Sequence, residues 1–138
     1  MEEVRSELQP SEPAIGIICM YSRQRDVLNR MKSEASWLGD LRRLVKIDTV
    51  DSYQGKENRI VILSTVRNNA ALKPGFLRVP NRINVALSRA MDRLFVVGAS
   101  RMWAGRNAQL PLGAVFAKVQ SMQQEGRAEV LSAKELLQ

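Results

Sequence analysis

A chain of 138 residues with 21 Lys plus Arg against 14 Asp plus Glu carries a formal charge of +7 and has length for one core and little more. At 45% hydrophobic and 25% charged residues it has the balance of a globular domain, and no apolar run approaches the roughly 20 residues that span a bilayer. The absence of histidine removes Ser/His/Asp and Cys/His nucleophile systems, His-ligated metals and imidazole relays, leaving Arg, Lys, carboxylates and hydroxyls to carry any chemistry.

Residues 1–13 hold Glu2, Glu3, Glu7, Glu12 and two prolines without a sustained period, and read as a leader or linker. Their acidity is the opposite of an export signal, so the chain is expected inside the cell, cytoplasmic or nuclear. The folded domain is expected over 14–138. Residues 15–20 form a continuous apolar run suited to a strand buried on both faces, with Cys19 as a buried free thiol. Ser22 is placed to cap a helix whose apolar face is Val27, Leu28, Met31, Ala35 and Leu38, ending near Gly39.

Residues 44–50 and 60–66 read as two further strands flanking a short polar stretch, 51–58. Residues 67–80, with Gly75, two prolines and adjacent asparagines, read as a surface loop. A helix is expected from Asn81 through Ala90 with Ile83, Ala86, Leu87 and Ala90 facing inward, followed by a third buried strand over 94–98. Leu112, Val115, Phe116, Val119 and Met122 mark another amphipathic helix stopped near Gly126, and Ser132 with Glu135 makes a capping box. The order β, α, β, β, α, β predicts an α/β domain with a mainly parallel sheet flanked by helices.

Ligands of open parallel sheets sit beyond the carboxyl ends of the strands, and two segments are expected there. Residues 49–57, TVDSYQGKE, concentrate hydroxyls, an amide, a glycine and a carboxylate. Residues 81–90, NRINVALSRA, place Arg82 and Arg89 roughly 20° apart around a helix, at the border of its apolar stripe. Guanidinium groups so placed suit bidentate phosphate contact. Each segment taken alone reads first as a solvated connection or a pair of surface arginines. Gly55-Lys56 is no phosphate-binding P-loop, because G-x-x-x-x-G-K-[ST] needs Gly and Ser or Thr where Val50 and Glu57 stand. The basic excess makes a polyanion the expected partner, and no His-containing or clustered metal site is expected.

IGIICMYSRQ at 15–24, TVDSYQGKENRIVILSTVR at 49–67 and NRINVALSRAMDRLFVVG at 81–98 resemble motifs IV, V and VI of superfamily 1 DNA/RNA helicases. The branch is the one typified by the nonsense-mediated-decay RNA helicase. The resemblance implies a RecA-like second motor domain that lacks its own Walker A and Walker B, so that the isolated chain is expected inactive. ATP and Mg²⁺ would bind only in the cleft with the first RecA-like domain of the same polypeptide. It further implies Arg89 as an arginine finger, Gln54, Gly55, Glu57 and Arg82 at the ATP, and Thr49 and Ser52 on the backbone of single-stranded DNA or RNA. Tyr21 and Gln24 take supporting roles. Motifs I to III and the element preceding motif IV do not occur, as in a piece of a longer helicase. The alternative is a non-enzymatic nucleic-acid-binding or regulatory module that kept the fold.

Overall fold

The computed structural model describes residues 14–53 and 55–138; the expected leader over 1–13 and the site residue Gln54 lie outside the described residues. Strands β1 (Ile15–Cys19), β2 (Val45–Thr49), β3 (Asn58–Ser64) and β4 (Ala90–Val97) pair in the order β2-β1-β3-β4. Every pairing is parallel, with Ile17 between Ile47 and Ile62 and Cys19 between Thr49 and Ser64. Successive side chains of a strand point to opposite faces. Ile18, Val61 and Leu63 therefore enter one core with Val50, Tyr53, Leu77, Ile83, Ala86, Met102, Trp103 and Leu112. Ile15, Ile17, Ile60 and Ile62 pack on the other face with Ala14 and Leu44. Cys19 is buried and free, as its apolar neighbours led us to expect.

Helix α1 (Ser22–Glu34) follows β1. Ser22 is its first residue, not its cap: Tyr21 holds the cap position in extended conformation without a side-chain cap bond. The helix stops at Glu34, short of Gly39, where Ala35 leaves helical geometry. Arg42 takes its last carbonyls, donating to Lys32 O at 3.1 Å and Ala35 O at 2.9 Å. None of its residues is fully buried. It lies along β2, where Asn29 and Lys32 donate to the main-chain oxygens of Ile47 and Val45 at 3.5 and 3.0 Å. These bonds cover carbonyls that an edge strand would otherwise present to solvent.

Helix α2 (Pro80–Leu87) has proline at its first turn, where no amide hydrogen is needed, and buries Ile83 and Ala86. It ends before Arg89, and β4 begins at Ala90, earlier than the apolar run suggested. The expected third buried strand is exposed almost throughout. Being at the end of the sheet, β4 has a single neighbour among the described residues, β3, and Met91, Phe95 and Val97 stay open to solvent. Helix α3 (Pro111–Gln124) buries Leu112 and Gly113 against the first core. The short α4 (Ala133–Leu136) carries the expected capping box: Ser132 N donates to Glu135 Oε2 at 2.6 Å and Glu135 N to Ser132 Oγ at 3.3 Å.

Candidate functional site

The connection from β2 to β3 determines the geometry. Both strands are parallel to β1, which lies between them, so the chain leaving Thr49 at the carboxyl edge must return across the sheet face to start β3 at the amino edge. Val50 N donates to Cys19 O at 3.0 Å at the first edge, and Asn58 N donates to Arg89 O at 3.0 Å at the second. Tyr53 lies fully buried midway and donates its hydroxyl to Lys46 O at 3.3 Å. Burial pushes its phenol up to about 12. The passage needs Gly16 beneath it: a β-carbon there would stand 2.6 Å from Asn58 Oδ1 and 2.7 Å from Tyr53 Oη.

The crossing corrects the expectation that both motif segments meet beyond the carboxyl ends. Thr49 and Ser52 stand at the carboxyl edge, with Thr49 Oγ1 donating to Ser52 Oγ at 3.3 Å. Gly55, Lys56 and Glu57 are exposed at the amino edge, and Gly55 adopts φ 79°, a conformation L side chains rarely take. Arg89 joins them, past the end of α2. Its Nε donates to Val85 O at 3.1 Å, Nη1 to Lys56 O at 3.1 Å and Nη2 to Ser88 Oγ at 2.9 Å. All three acceptors are neutral, so its charge has no carboxylate counter-ion among the described residues.

Arg82 sits elsewhere. Its Nη2 is 3.2 Å from Asp51 Oδ2, and its guanidinium lies 5.1 Å over the ring of Phe76. With about 1.5 Å of rise per residue, Arg82 and Arg89 stand at opposite ends of α2, on the order of 10 Å apart. A shared helical stripe thus ends as two positions on opposite edges of the sheet. Tyr21 and Gln24 are at the carboxyl edge, where Gln24 Nε2 hydrogen-bonds Ser64 Oγ and Tyr21 Oη accepts from Arg67 Nε at 2.9 Å.

One charged residue escaped the sequence reading. Lys46 of β2 comes beside Lys56, whose ammonium holds the Lys46 pKa below its usual value, and lies 5.3 Å from the Tyr53 ring centroid. Nothing in its local sequence signals this, because only the crossing brings residues 46 and 56 together. Lys46, Lys56 and Arg89 make the amino edge a cluster of cations with Glu57 beside it, which fits an anionic ligand such as a chain of phosphates. No group of three or more His, Cys, Asp or Glu side chains able to hold a metal occurs among the described residues. Nor is any helix among them long and apolar enough to cross a membrane.

A four-stranded parallel sheet flanked by helices, with the motif-bearing segments run between its two edges, defines a RecA-like α/β domain. The family described as "AAA domain" matches residues 2–101, and the chain belongs to it, in the superfamily 1 branch of the nonsense-mediated-decay type. It is 42% identical over 93 residues to "Helicase required for RNAi-mediated heterochromatin assembly 1" of Schizosaccharomyces pombe, covering 67% of this chain and 9% of that protein. It is 36% identical over 102 residues to "Regulator of nonsense transcripts 1" of Caenorhabditis elegans, covering 73% of this chain and 9% of the relative. Against "DNA polymerase alpha-associated DNA helicase A" of Saccharomyces cerevisiae the identity is 39% over 98 residues, 71% of this chain and 14% of the relative. The chain therefore spans a small part of the relatives it matches, and it is a helicase-related domain.

Proposed function

We propose that residues 14–138 are the second motor domain of an ATP-dependent superfamily 1 helicase, completing an ATP site with Arg89 and gripping single-stranded DNA or RNA through Thr49 and Ser52. The observation that carries this reading is the single crossing segment: it starts at Thr49 on one edge and ends at Lys56, bonded to Arg89, on the other. A displacement at either end is transmitted along a short connection anchored by the buried Tyr53.

The first RecA-like domain of the same polypeptide supplies the P-loop lysine and the Mg²⁺-binding carboxylate, neither of which this chain provides. ATP is then held between the domains. Arg89 turns its guanidinium from three neutral acceptors toward the γ-phosphoryl group and stabilises the charge that develops there. Lys46 and Lys56 add positive potential, while Gly55 and Glu57 line the same end. Arg82, held by Asp51 at the opposite edge, supports the strand side instead. Closure and reopening of the cleft move Thr49 and Ser52 relative to the first domain, stepping the strand. On this reading the isolated chain hydrolyses nothing.

The test is Arg89→Ala in the full-length protein. ATP binding is expected to persist while hydrolysis falls about 10³-fold or more. Near-normal turnover would remove Arg89 from the reaction.

A further inference from the structure

Residues 65–79 connect β3 to α2 and contribute none of the residues assigned above. The loop is nevertheless held firmly. The Asn69 side-chain amide grips the Lys73 backbone twice, donating Nδ2 to Lys73 O at 2.9 Å and accepting at Oδ1 from Lys73 N at 2.8 Å. Asn107 Nδ2 donates to Leu72 O at 2.8 Å, Arg101 Nε to Asn68 Oδ1 at 2.7 Å, and Arg106 to Ala71 O.

This braced loop presents Phe76 with 55% of its surface exposed. The ring rests on Tyr21, with centroids 5.5 Å apart. Tyr21 Oη accepts from both Phe76 N, at 3.2 Å, and Arg67 Nε, at 2.9 Å. Arg67 stacks 5.1 Å from the Tyr21 ring and Arg82 5.1 Å from the Phe76 ring. A cavity of about 280 Å³ opens between Arg67, Gly75, Phe76 and Arg78. Arg78 is exposed, and its guanidinium has no partner among the described residues.

An aromatic ring kept at the surface by two hydrogen-bonded supports, with unpaired guanidinium beside an open cavity, combines the two elements of single-strand recognition. Nucleobases stack on aromatic rings whatever their sequence, and phosphates are drawn by arginine. The arrangement is continuous with the strand-gripping edge, since Asp51, next to Ser52, pairs with the Arg82 that lies over Phe76. We propose that Phe76, backed by Tyr21, is a stacking platform for one base of a bound single strand, whose adjoining phosphate is taken by Arg78 and Arg67. This inference rests on reading the carboxyl edge as the strand-binding side.

The experiment measures fluorescence anisotropy of the full-length protein with labelled oligothymidylate and oligouridylate, and with an abasic strand of equal length. Phe76→Ala is expected to weaken binding of the base-containing strands about tenfold or more and to leave the abasic strand unchanged. Phe76→Trp should retain affinity. Phe76→Leu keeps bulk on Tyr21 without a π face and should bind as poorly as Phe76→Ala, which separates stacking from a folding defect. Arg78→Ala should weaken both kinds of strand and reduce the slope of log K against log salt by about one. If Phe76→Ala and Phe76→Leu bind like the wild type while Thr49→Ala with Ser52→Ala weakens binding, the platform is wrong and the helicase reading stands. If the wild type binds no single strand, both are overturned.

Discussion

Replacing Gly16 with alanine tests whether the crossing segment is packed as tightly as its geometry requires. The added methyl would meet Asn58 Oδ1 at 2.6 Å and Tyr53 Oη at 2.7 Å, well inside the roughly 3.3–3.6 Å at which carbon and oxygen normally touch. Neither neighbour has room to move. Tyr53 is fully buried, with its hydroxyl on Lys46 O and its amide 3.1 Å from Val50 O; Asn58 is 7% exposed and tied to Arg89 O. Overpacking of this kind costs about 1–3 kcal/mol, and at about 4 °C per kcal/mol for a chain of this size the midpoint should fall by about 4–12 °C. Urea and thermal unfolding followed by tryptophan fluorescence report it, since Trp103 is buried in the affected core. Tyr53→Phe removes one of the two clashing atoms, so Gly16→Ala should cost about 1 kcal/mol less in that background. Equal stability of Gly16→Ala and wild type, or strict additivity with Tyr53→Phe, would show that the segment does not lie on β1 as described.

Alkaline stability carries a second test. Burial raises the Cys19 thiol from 9.0 to about 11 and the Tyr53 phenol to about 12. Each folded group holds its proton where the unfolded group has lost it, so the stabilisation is complete below pH 9 and declines between about pH 9 and 12. The lowered Lys46 opposes this in part, and Cys19→Ala should delay the onset toward pH 10; urea midpoints flat from pH 9 to 11 in both proteins would refute the assignment. Asn107→Ala should cost about 2 kcal/mol, read by urea unfolding, because its buried amide serves Leu72 O and Met102 O at 2.8 Å each. In the full-length protein Arg89→Lys should hydrolyse ATP nearly as poorly as Arg89→Ala, because an ammonium cannot reproduce the planar fork; recovery of turnover with lysine would show that charge alone suffices.

The apolar runs near 15–20 and 60–66 and the order of elements were enough to expect a parallel α/β sheet, because β-branched runs bounded by polar stretches have few other solutions. The motif segments likewise marked Thr49, Ser52, Gly55, Glu57 and Arg89 as candidates, and the local capping box at Ser132 and Glu135 was legible from four residues. Such features depend on residues close in the chain. Helix ends were less legible: α1 stops where Arg42, reaching back from the next segment, takes its carbonyls, and α2 stops before Arg89. The exposure of β4 was invisible, since an apolar strand reads alike at the centre and at the edge of a sheet.

The residues alone determined the family, the class of fold, the absence of a P-loop lysine and which side chains were candidates for the site. Tertiary structure decided where those side chains stand. The strand order places β1 between β2 and β3, so residues no more than eight positions apart, from Thr49 to Glu57, separate to opposite edges. The same topology parts Arg82 from Arg89 and brings Lys46 beside Lys56 and Phe76 onto Tyr21. Periodicity encodes which side of an element faces the core; it carries no record of which edge of the sheet a connection returns to, because that is settled by pairing between distant strands.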